Sequence, residues 1–201
     1  MPDNRVYFAI VDVPEEADRH QSARWVLQQM IADLGHAKAG PFCIATEASG
    51  RPVALTAEGG PLGIFVSLSH TGRKLACAAT TLGPIGVDIE SPRRHRDLLG
   101  IAEAAFGPGE RARCAQQGGS AFYRIWTLRE AMAKALGTGL TMVSDRVDRV
   151  ADGPDEGSWQ WQGWHLSHRR LTPEMNLALA VLPITPLAGE VDWLTFMPSG
   201  V

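Results

Sequence analysis

The chain is poor in lysine, has no block of basic residues and contains no long hydrophobic run. Only three of its 19 Lys and Arg residues are lysine, and the formal net charge is −3 at pH 7. This balance argues against a general nucleic-acid binder, although a local basic patch stays open. The absence of an apolar run of about 18 residues excludes a transmembrane helix, so we expect neither a nucleic-acid nor a membrane partner.

Cysteine is also scarce, and its placement bounds the redox compartment. Cys43, Cys77 and Cys114 are odd in number and lie far apart. They are typical of reduced thiols in a cytoplasmic protein, not of a disulfide framework or a zinc site. The N-terminus leads directly into a strand-like segment without a signal-peptide core, which also favours the cytoplasm. The 201 residues, 45% of them hydrophobic, suffice for one large or two small globular domains.

Hydrophobic periodicity predicts a chain of mixed strands and helices. Strands are predicted at 5–13, 65–69, 75–80, 85–89, 158–167 and 176–182, and helices at 22–34, 98–105, shortly after 110, and 121–136. Ser120 is predicted to cap the last of these helices and Gly137 to end it. Residues 49–63 are rich in Gly and Pro and predict a loop, and the proline-containing tail predicts irregular chain.

A short sequence echo points to two similar halves. Leu68-Ser-His70 precedes one apolar strand, Leu166-Ser-His168 precedes another, and a helix lies ahead of each. Three-residue matches arise easily by chance, so the echo is weak by itself. We expect an α+β fold made of two similar α/β halves, an N-terminal half at 1–96 and a C-terminal half at 97–201.

Two short blocks carry the residues best suited to chemistry. Asp88 and Glu90 alternate in a strand-like run and therefore point to one face, while Glu130 and Lys134 share a helix face at i and i+4. If this helix packs across the end of the strand, three carboxylates converge and repel one another. A divalent cation removes that conflict. Mg²⁺ is the ion we expect, with Mn²⁺ as the alternative, because carboxylates, water and phosphates suit it.

Each block also has an ordinary explanation. An Asp-x-Glu pair at a strand end is usually a solvated edge. A Glu and a Lys at i and i+4 are usually a surface ion pair worth about 0.3–0.5 kcal/mol. Their joint occurrence with the flanking residues is what favours a site.

With their flanks, the two blocks resemble the signature of the 4′-phosphopantetheinyl transferases. That signature is Gly-x-Asp-x-Glu and, after about forty residues, Trp-x-x-Lys-Glu-x-x-x-Lys. Gly86-Val-Asp-Ile-Glu90 and the block 126–134 match it, except that Arg129 replaces the usual lysine. Segments 50–52, 67–70, 106–110 and 137–140 also look like the family, over roughly residues 20 to 140. The resemblance is to the larger, pseudo-dimeric form that activates peptide and polyketide synthases, the surfactin-synthetase-activating type.

The resemblance implies a fold, a reaction and its partners. The two halves would be related by a pseudo-twofold axis, with the active site in the cleft between them, and the protein would be a monomer. The enzyme would transfer the 4′-phosphopantetheine of coenzyme A, in a Mg²⁺-dependent reaction, to a serine of an apo acyl or peptidyl carrier protein or carrier domain. The second product would be 3′,5′-ADP. The pathway, whether fatty acid, polyketide or nonribosomal peptide synthesis, is left open.

The resemblance also implies a role for each matching residue. Asp88, Glu90 and Glu130 would hold the metal, and Lys134 would contact the pyrophosphate. Glu130 would be the general base, directly or through a metal-bound water, and Lys134 would stabilise charge or protonate the leaving phosphate. The contacts to the 3′-phosphate and adenine of coenzyme A would be Arg24, Arg51, Ser69 and His70.

Two other functions compete with this interpretation. Another Mg²⁺-dependent phosphoester enzyme, such as a phosphodiesterase, could use the same three carboxylates. A non-catalytic relative could bind carrier proteins without transferring anything to them. The block around Trp126 argues against the first, and the intact set of charged residues argues against the second.

Overall fold

The computed structural model describes residues 4–34, 40–92, 96–139 and 152–198, and ten strands and four helices lie within them. The strands are β1 Arg5–Asp12, β2 Phe42–Thr46, β3 Pro52–Thr56, β4 Phe65–Thr71, β5 Lys74–Thr80, β6 Ile85–Glu90, β7 Gly157–Trp161, β8 Trp164–Thr172, β9 Met175–Val181 and β10 Asp192–Thr195. The helices are α1 Arg19–Asp33, α2 Leu98–Ala105, α3 Pro108–Gln117 and α4 Gly119–Leu136.

Two four-stranded sheets share one pairing scheme. Their orders are β10-β1-β5-β4 and β6-β9-β8-β7. In the first, β1 pairs antiparallel with β5, and β5 with β4. In the second, β6 pairs antiparallel with β9, and β9 with β8. The predicted mixed α+β class is confirmed, whereas the division into two similar halves stays a prediction. The pseudo-twofold axis stays a prediction.

The sheets face each other and carry helices on their outer sides. Valine, alanine, leucine and isoleucine side chains of β5, β6 and β9 fill the space between the sheets together with Val6 and Phe8 of β1. The apolar face of α1 packs on the other side of the first sheet. Helices α2, α3 and α4 cover the outer side of the second. Burial of such side chains contributes about 1.5–3 kcal/mol each, so the charged strand β6 is held by its apolar face.

Strand β6 owes its position to alternation and to one glycine. Val87 and Ile89 point into the core between the sheets, which turns Asp88 towards α4. Gly86 lies directly beneath α4, where an added Cβ would collide with the backbone carbonyl of Ala131. The helix therefore approaches the strand closely, as only glycine permits.

Several predicted elements are wrong in detail, for identifiable reasons. The predicted loop at 49–63 contains β3, which pairs with β2 in a separate hairpin. The single strand predicted at 158–167 is two strands, because Gln162 and Gly163 both adopt positive φ and form a tight turn. Helix α4 begins at Gly119 with Gly118 as its N-cap, not Ser120, whereas Gly137 ends it in the left-handed conformation as predicted.

The C-terminal segment also departs from the prediction of irregular chain. Strand β10 pairs in parallel with β1, with Arg5 opposite Asp192, so residues from both ends of the chain lie in one sheet. Among the described residues, no helix is long and apolar enough to cross a membrane.

We expect Gly86→Ala to lower the free energy of unfolding by about 3 kcal/mol, because the new methyl group forces α4 away from β6. Urea denaturation measures the loss. The control is Gly119→Ala, where an added Cβ meets only ordinary van der Waals contact with Leu98. Equal stability of the two variants would contradict the close packing of α4 on β6.

Candidate active site

The charged residues of the two sequence blocks meet where α4 crosses β6. Trp126, Glu130 and Lys134 lie one turn apart on α4, as their spacing predicts. The indole Nε1 of Trp126 donates to Glu90 Oε1 at 3.2 Å. The ammonium of Lys134 donates to Asp88 Oδ1 at 2.7 Å. Both carboxylates of β6 are thus bound from the same helix.

Asp88 is the most enclosed member of this cluster, with 4% of its surface exposed. Its Oδ1 accepts from Lys134 and, at 2.8 Å, from the hydroxyl of Ser69. Its Oδ2 is buried and has no hydrogen-bond partner among the described residues. A buried carboxylate oxygen in this state costs free energy unless a ligand binds it.

The backbone N–H and carbonyl of Val87 connect β6 to β4 and to α4. Its N–H donates to Ser67 Oγ at 3.1 Å, so a β4 side chain takes the place of a strand partner at this edge. Its carbonyl accepts from Lys134 Nζ at 3.3 Å. Residues of β4, β6 and α4 are thereby locked together at one corner.

Glu130 carries the third carboxylate of the two sequence blocks and is partly buried on α4. Burial, and then the negative charge of Asp88, raises the pKa of its carboxyl above the ordinary value of 4.5. Lys134 opposes this rise, while Glu90 adds to it. The charges of Asp88 and Glu90 are therefore both near enough to act on Glu130.

The donor set suits a hard divalent cation. Three carboxylates offer oxygen ligands, and Asp88 Oδ2 has an unused acceptor position. In the present arrangement, no group of three His, Cys, Asp or Glu side chains within the described ranges is close enough to hold a metal ion. Lys134 and Trp126 instead hold one oxygen each of Asp88 and Glu90. Metal binding therefore needs side-chain rotation.

A cavity of about 270 Å³ opens beside Glu130 and Lys134. Its opposite wall includes Arg51, which also contacts Glu47 through two nitrogen–oxygen pairs at 3.0 and 3.1 Å. The Arg51 side chain lies against Gly137, at the end of α4. The cavity is thus lined by residues 49–52 and 67–68 on one side and by α4 and the residues just after it on the other.

Ser69 and His70 are adjacent in sequence but lie on opposite faces of β4. Ser69 is buried against Asp88, whereas His70 is exposed, with its Nδ1 3.5 Å from Nη1 of Arg19 in the first turn of α1. Arg24 is exposed further along α1. The structure therefore brings Ser69 to the carboxylates and Arg51 to the adjoining cavity. It leaves His70 and Arg24 on the α1 side.

Arg96 is a neighbour of the site that the sequence interpretation did not include. Its guanidinium lies 4.5 Å from the centre of the Trp126 ring and its Nη1 is 3.6 Å from Glu90 Oε1. The sequence did not single out Arg96, because residues 93 and 94 are also arginines and no motif distinguishes one from another.

Arg129, the departure from the family pattern, is completely buried. Its Nε and Nη2 donate to Glu110 Oε2 at 2.8 and 2.7 Å, and its Nη1 donates to the carbonyl of Ala105 at 2.9 Å. Its guanidinium also lies 5.4 Å from the centre of the Phe106 ring. These contacts use the planar fork that lysine lacks, so Arg129 joins α4 to α3 and to the end of α2.

Comparison with known proteins gives this architecture a family. The model of the 4′-phosphopantetheinyl transferase superfamily matches residues 84–181. The 4′-phosphopantetheinyl transferase HetI of Nostoc sp. is 30% identical over 182 residues, 89% of this chain and 73% of that protein. The 4′-phosphopantetheinyl transferase AcpT of Escherichia coli K12 is 30% identical over 138 residues, covering 65% and 64% of the two chains.

A shorter match points the same way. The 4′-phosphopantetheinyl transferase of Bacillus subtilis is 34% identical over 83 residues, 39% of this chain and 36% of that protein. These similarities show that the protein is an enzyme of the transferase class. The chain belongs to the 4′-phosphopantetheinyl transferase superfamily.

We expect Arg129→Met to lower the free energy of unfolding by about 3–5 kcal/mol, because it leaves the carboxylate of Glu110 buried without its partner charge. The double variant Arg129→Met/Glu110→Gln should recover much of this loss in urea denaturation. The control Arg113→Met removes an arginine from the more exposed pair with Asp152 and should cost less than about 1 kcal/mol. An equal loss in the single and double variants would show that the ion pair is not the cause.

Glu130→Gln should stabilise the protein in buffer without divalent ions. Above pH 4.5 the unfolded chain loses the Glu130 proton more readily than the folded chain does, so ionisation costs folded stability as pH rises through the raised pKa. The gain should be about 1 kcal/mol or less near pH 7, after allowance for solvent screening, and vanish in acid. Denaturation at several pH values measures it, with exposed Glu103→Gln as control. A loss of stability would contradict the crowding of carboxylates.

Proposed function

We propose that this enzyme transfers the 4′-phosphopantetheine group of coenzyme A to a serine hydroxyl of an apo acyl or peptidyl carrier protein, with Mg²⁺, and releases 3′,5′-ADP. The observation that carries the proposal is the junction of β6 and α4, where Asp88, Glu130 and Lys134 converge beside an open cavity. The relatives' names supply the transferred group.

The pyrophosphate of coenzyme A is proposed to lie at the inner end of the cavity. Lys134 reaches the cavity from α4 and carries a compact positive charge that suits a phosphate oxygen. Arg51 on the opposite wall is proposed to contact the adenine and its neighbouring phosphate. Its present partner Glu47 is exposed, so the exchange of that carboxylate for a phosphate costs little.

The 3′-phosphate is proposed to bind between β4 and the start of α1. His70 and Arg19 lie side by side there and offer two basic side chains to a phosphate. Arg24 is the proposed additional cation on the same helix. The hydroxyl of Ser69, which now donates to Asp88, is the proposed contact from the other face of β4.

The metal is proposed to bind Asp88, Glu90 and Glu130, starting from the unused Oδ2 of Asp88. Mg²⁺ would supply charge neutralisation at the pyrophosphate, and Mn²⁺ is the expected substitute. Lys134, released from Asp88 by this change, becomes available to the phosphate.

The chemical step is a displacement at the β-phosphorus. The carrier serine oxygen forms the new bond to phosphorus while the bond to the 3′,5′-ADP oxygen breaks. Glu130 is the proposed acceptor of the serine proton, because it is the carboxylate of α4 that lines the cavity. Lys134 is proposed to stabilise or protonate the leaving phosphate.

The remaining expectations concern the protein as a whole. A monomer is proposed because both sheets and both walls of the cavity come from one chain. A cytoplasmic location is proposed because coenzyme A and carrier proteins must be available. The boundary between residues 1–96 and 97–201 separates β6 from α4, so the site needs both proposed halves.

Intact mass analysis of an apo carrier protein mixed with the enzyme, coenzyme A and Mg²⁺ tests the proposal. We expect a mass gain equal to one phosphopantetheine on the carrier serine. Asp88→Asn and Lys134→Met should each reduce the rate by about 100-fold or more, because each removes charge from the reacting centre. Glu103→Gln, on the exposed side of α2, should retain the wild-type rate.

The same reactions distinguish the competing functions. Cleavage of coenzyme A without a carrier would favour a phosphodiesterase. Carrier binding without any mass gain, across several carriers, would favour a non-catalytic relative. Either result would overturn the proposed transfer.

A further inference from the structure

Each carboxylate of β6 faces its own cation. Lys134 Nζ lies 2.7 Å from Asp88 Oδ1, and Arg96 Nη1 lies 3.6 Å from Glu90 Oε1. Both cations also lower the pKa of Glu130. Among the described residues, three carboxylates and two cations thus lie at the junction of β6 and α4.

Among the described residues, aromatic rings are the main contacts of the Arg96 guanidinium. Its guanidinium lies 4.5 Å from the ring centre of Trp126, 5.5 Å from that of Phe122 and 5.8 Å from that of Tyr123. Its side chain is 16% exposed. Nη1 is buried and donates to no described residue, since 3.6 Å to Glu90 is beyond hydrogen-bond reach. Stacking thus fixes the cation while leaving a donor unused.

Because Arg96 is a cation next to Glu90, it should have opposite effects on the binding of a metal ion and on the binding of a pyrophosphate group. A divalent cation that binds Glu90 has the same sign of charge as Arg96 and is repelled by it at short range. A pyrophosphate group that arrives with the cation is attracted by Arg96 and can accept from Nη1. The ring stack prevents the guanidinium from moving far in either case.

We propose that Arg96 is the counter-ion of Glu90 in the metal-free site and a pyrophosphate-binding residue once the metal is bound. In the first state Arg96 weakens metal binding. In the second it strengthens binding of the nucleotide, so metal is retained chiefly when the substrate is present. This inference rests on the proposed function, because it takes the pyrophosphate of coenzyme A as the anion.

Isothermal titration calorimetry of Arg96→Met tests the two effects separately. Methionine keeps an apolar chain against the rings but removes the charge. Titrated with Mg²⁺ alone, the variant should bind about threefold to tenfold more tightly than wild type. Titrated with coenzyme A at saturating Mg²⁺, it should bind about tenfold or more weakly. Opposite signs are the expected signature.

The control is Arg113→Met, which removes an equally charged arginine from its ion pair with Asp152 and should change neither affinity. Thermal melting checks that each variant is folded. If Arg96→Met does not fold, Arg96→Lys decides: Mg²⁺ affinity should stay within about twofold of wild type, while coenzyme A should bind several-fold more weakly. Unchanged affinities in Arg96→Met, or weaker binding of both ligands by the folded variant tested, would overturn the proposal.

The outcomes also separate this inference from the proposed function. A wild-type protein that binds both ligands but modifies no carrier would refute the transfer reaction and leave the role of Arg96 intact. If the wild-type protein modifies the carrier but Arg96→Met leaves the Mg²⁺ affinity unchanged, only the proposed role of Arg96 is refuted. A wild-type protein that binds no Mg²⁺ would refute both.

Discussion

The close approach of α4 to β6 is the contact on which the rest of the site depends. Because Gly86 has no side chain, the helix backbone lies directly on the strand. Trp126 and Lys134 then lie about 12 Å apart along the helix axis, and their long side chains reach Glu90 and Asp88 respectively. Glu130 lies midway between Trp126 and Lys134 along the helix. Its burial, and then the nearby charge of Asp88, raises the pKa of its carboxyl.

Local pattern predicted the elements that carry this contact. Strand β6 and helix α4 have clear periods of two and 3.6 residues, so both were predictable with the residues they carry. Strand β10 was not, because its partner β1 lies at the far end of the chain. Strand β3 was missed although its hairpin partner β2 is close by, because the Gly and Pro residues around it favoured a loop. The turn at Gln162 was missed because glutamine is an unusual residue for positive φ.

The same distinction applies to the site. Asp88, Glu90, Glu130 and Lys134 were predictable because spacing alone places them on two faces that can meet. Arg96 was not predictable, since its position depends on contacts with aromatic rings of α4. The burial of Arg129 also could not be predicted, because Glu110 comes from a different helix. In both cases the partner of a charged side chain, rather than its type, determines what it does.

The pairing of β10 with β1 has a consequence for how the protein folds. Arg5 and Asp192 are neighbours in the first sheet although nearly the whole chain separates them. Closing so long a loop is slow, because its entropy must be lost before the contact forms. The second sheet and its helices, whose strands lie between residues 85 and 181, have shorter loops to close. We therefore expect the acidic strand and its helix to assemble early, and the edge of the first sheet to form last.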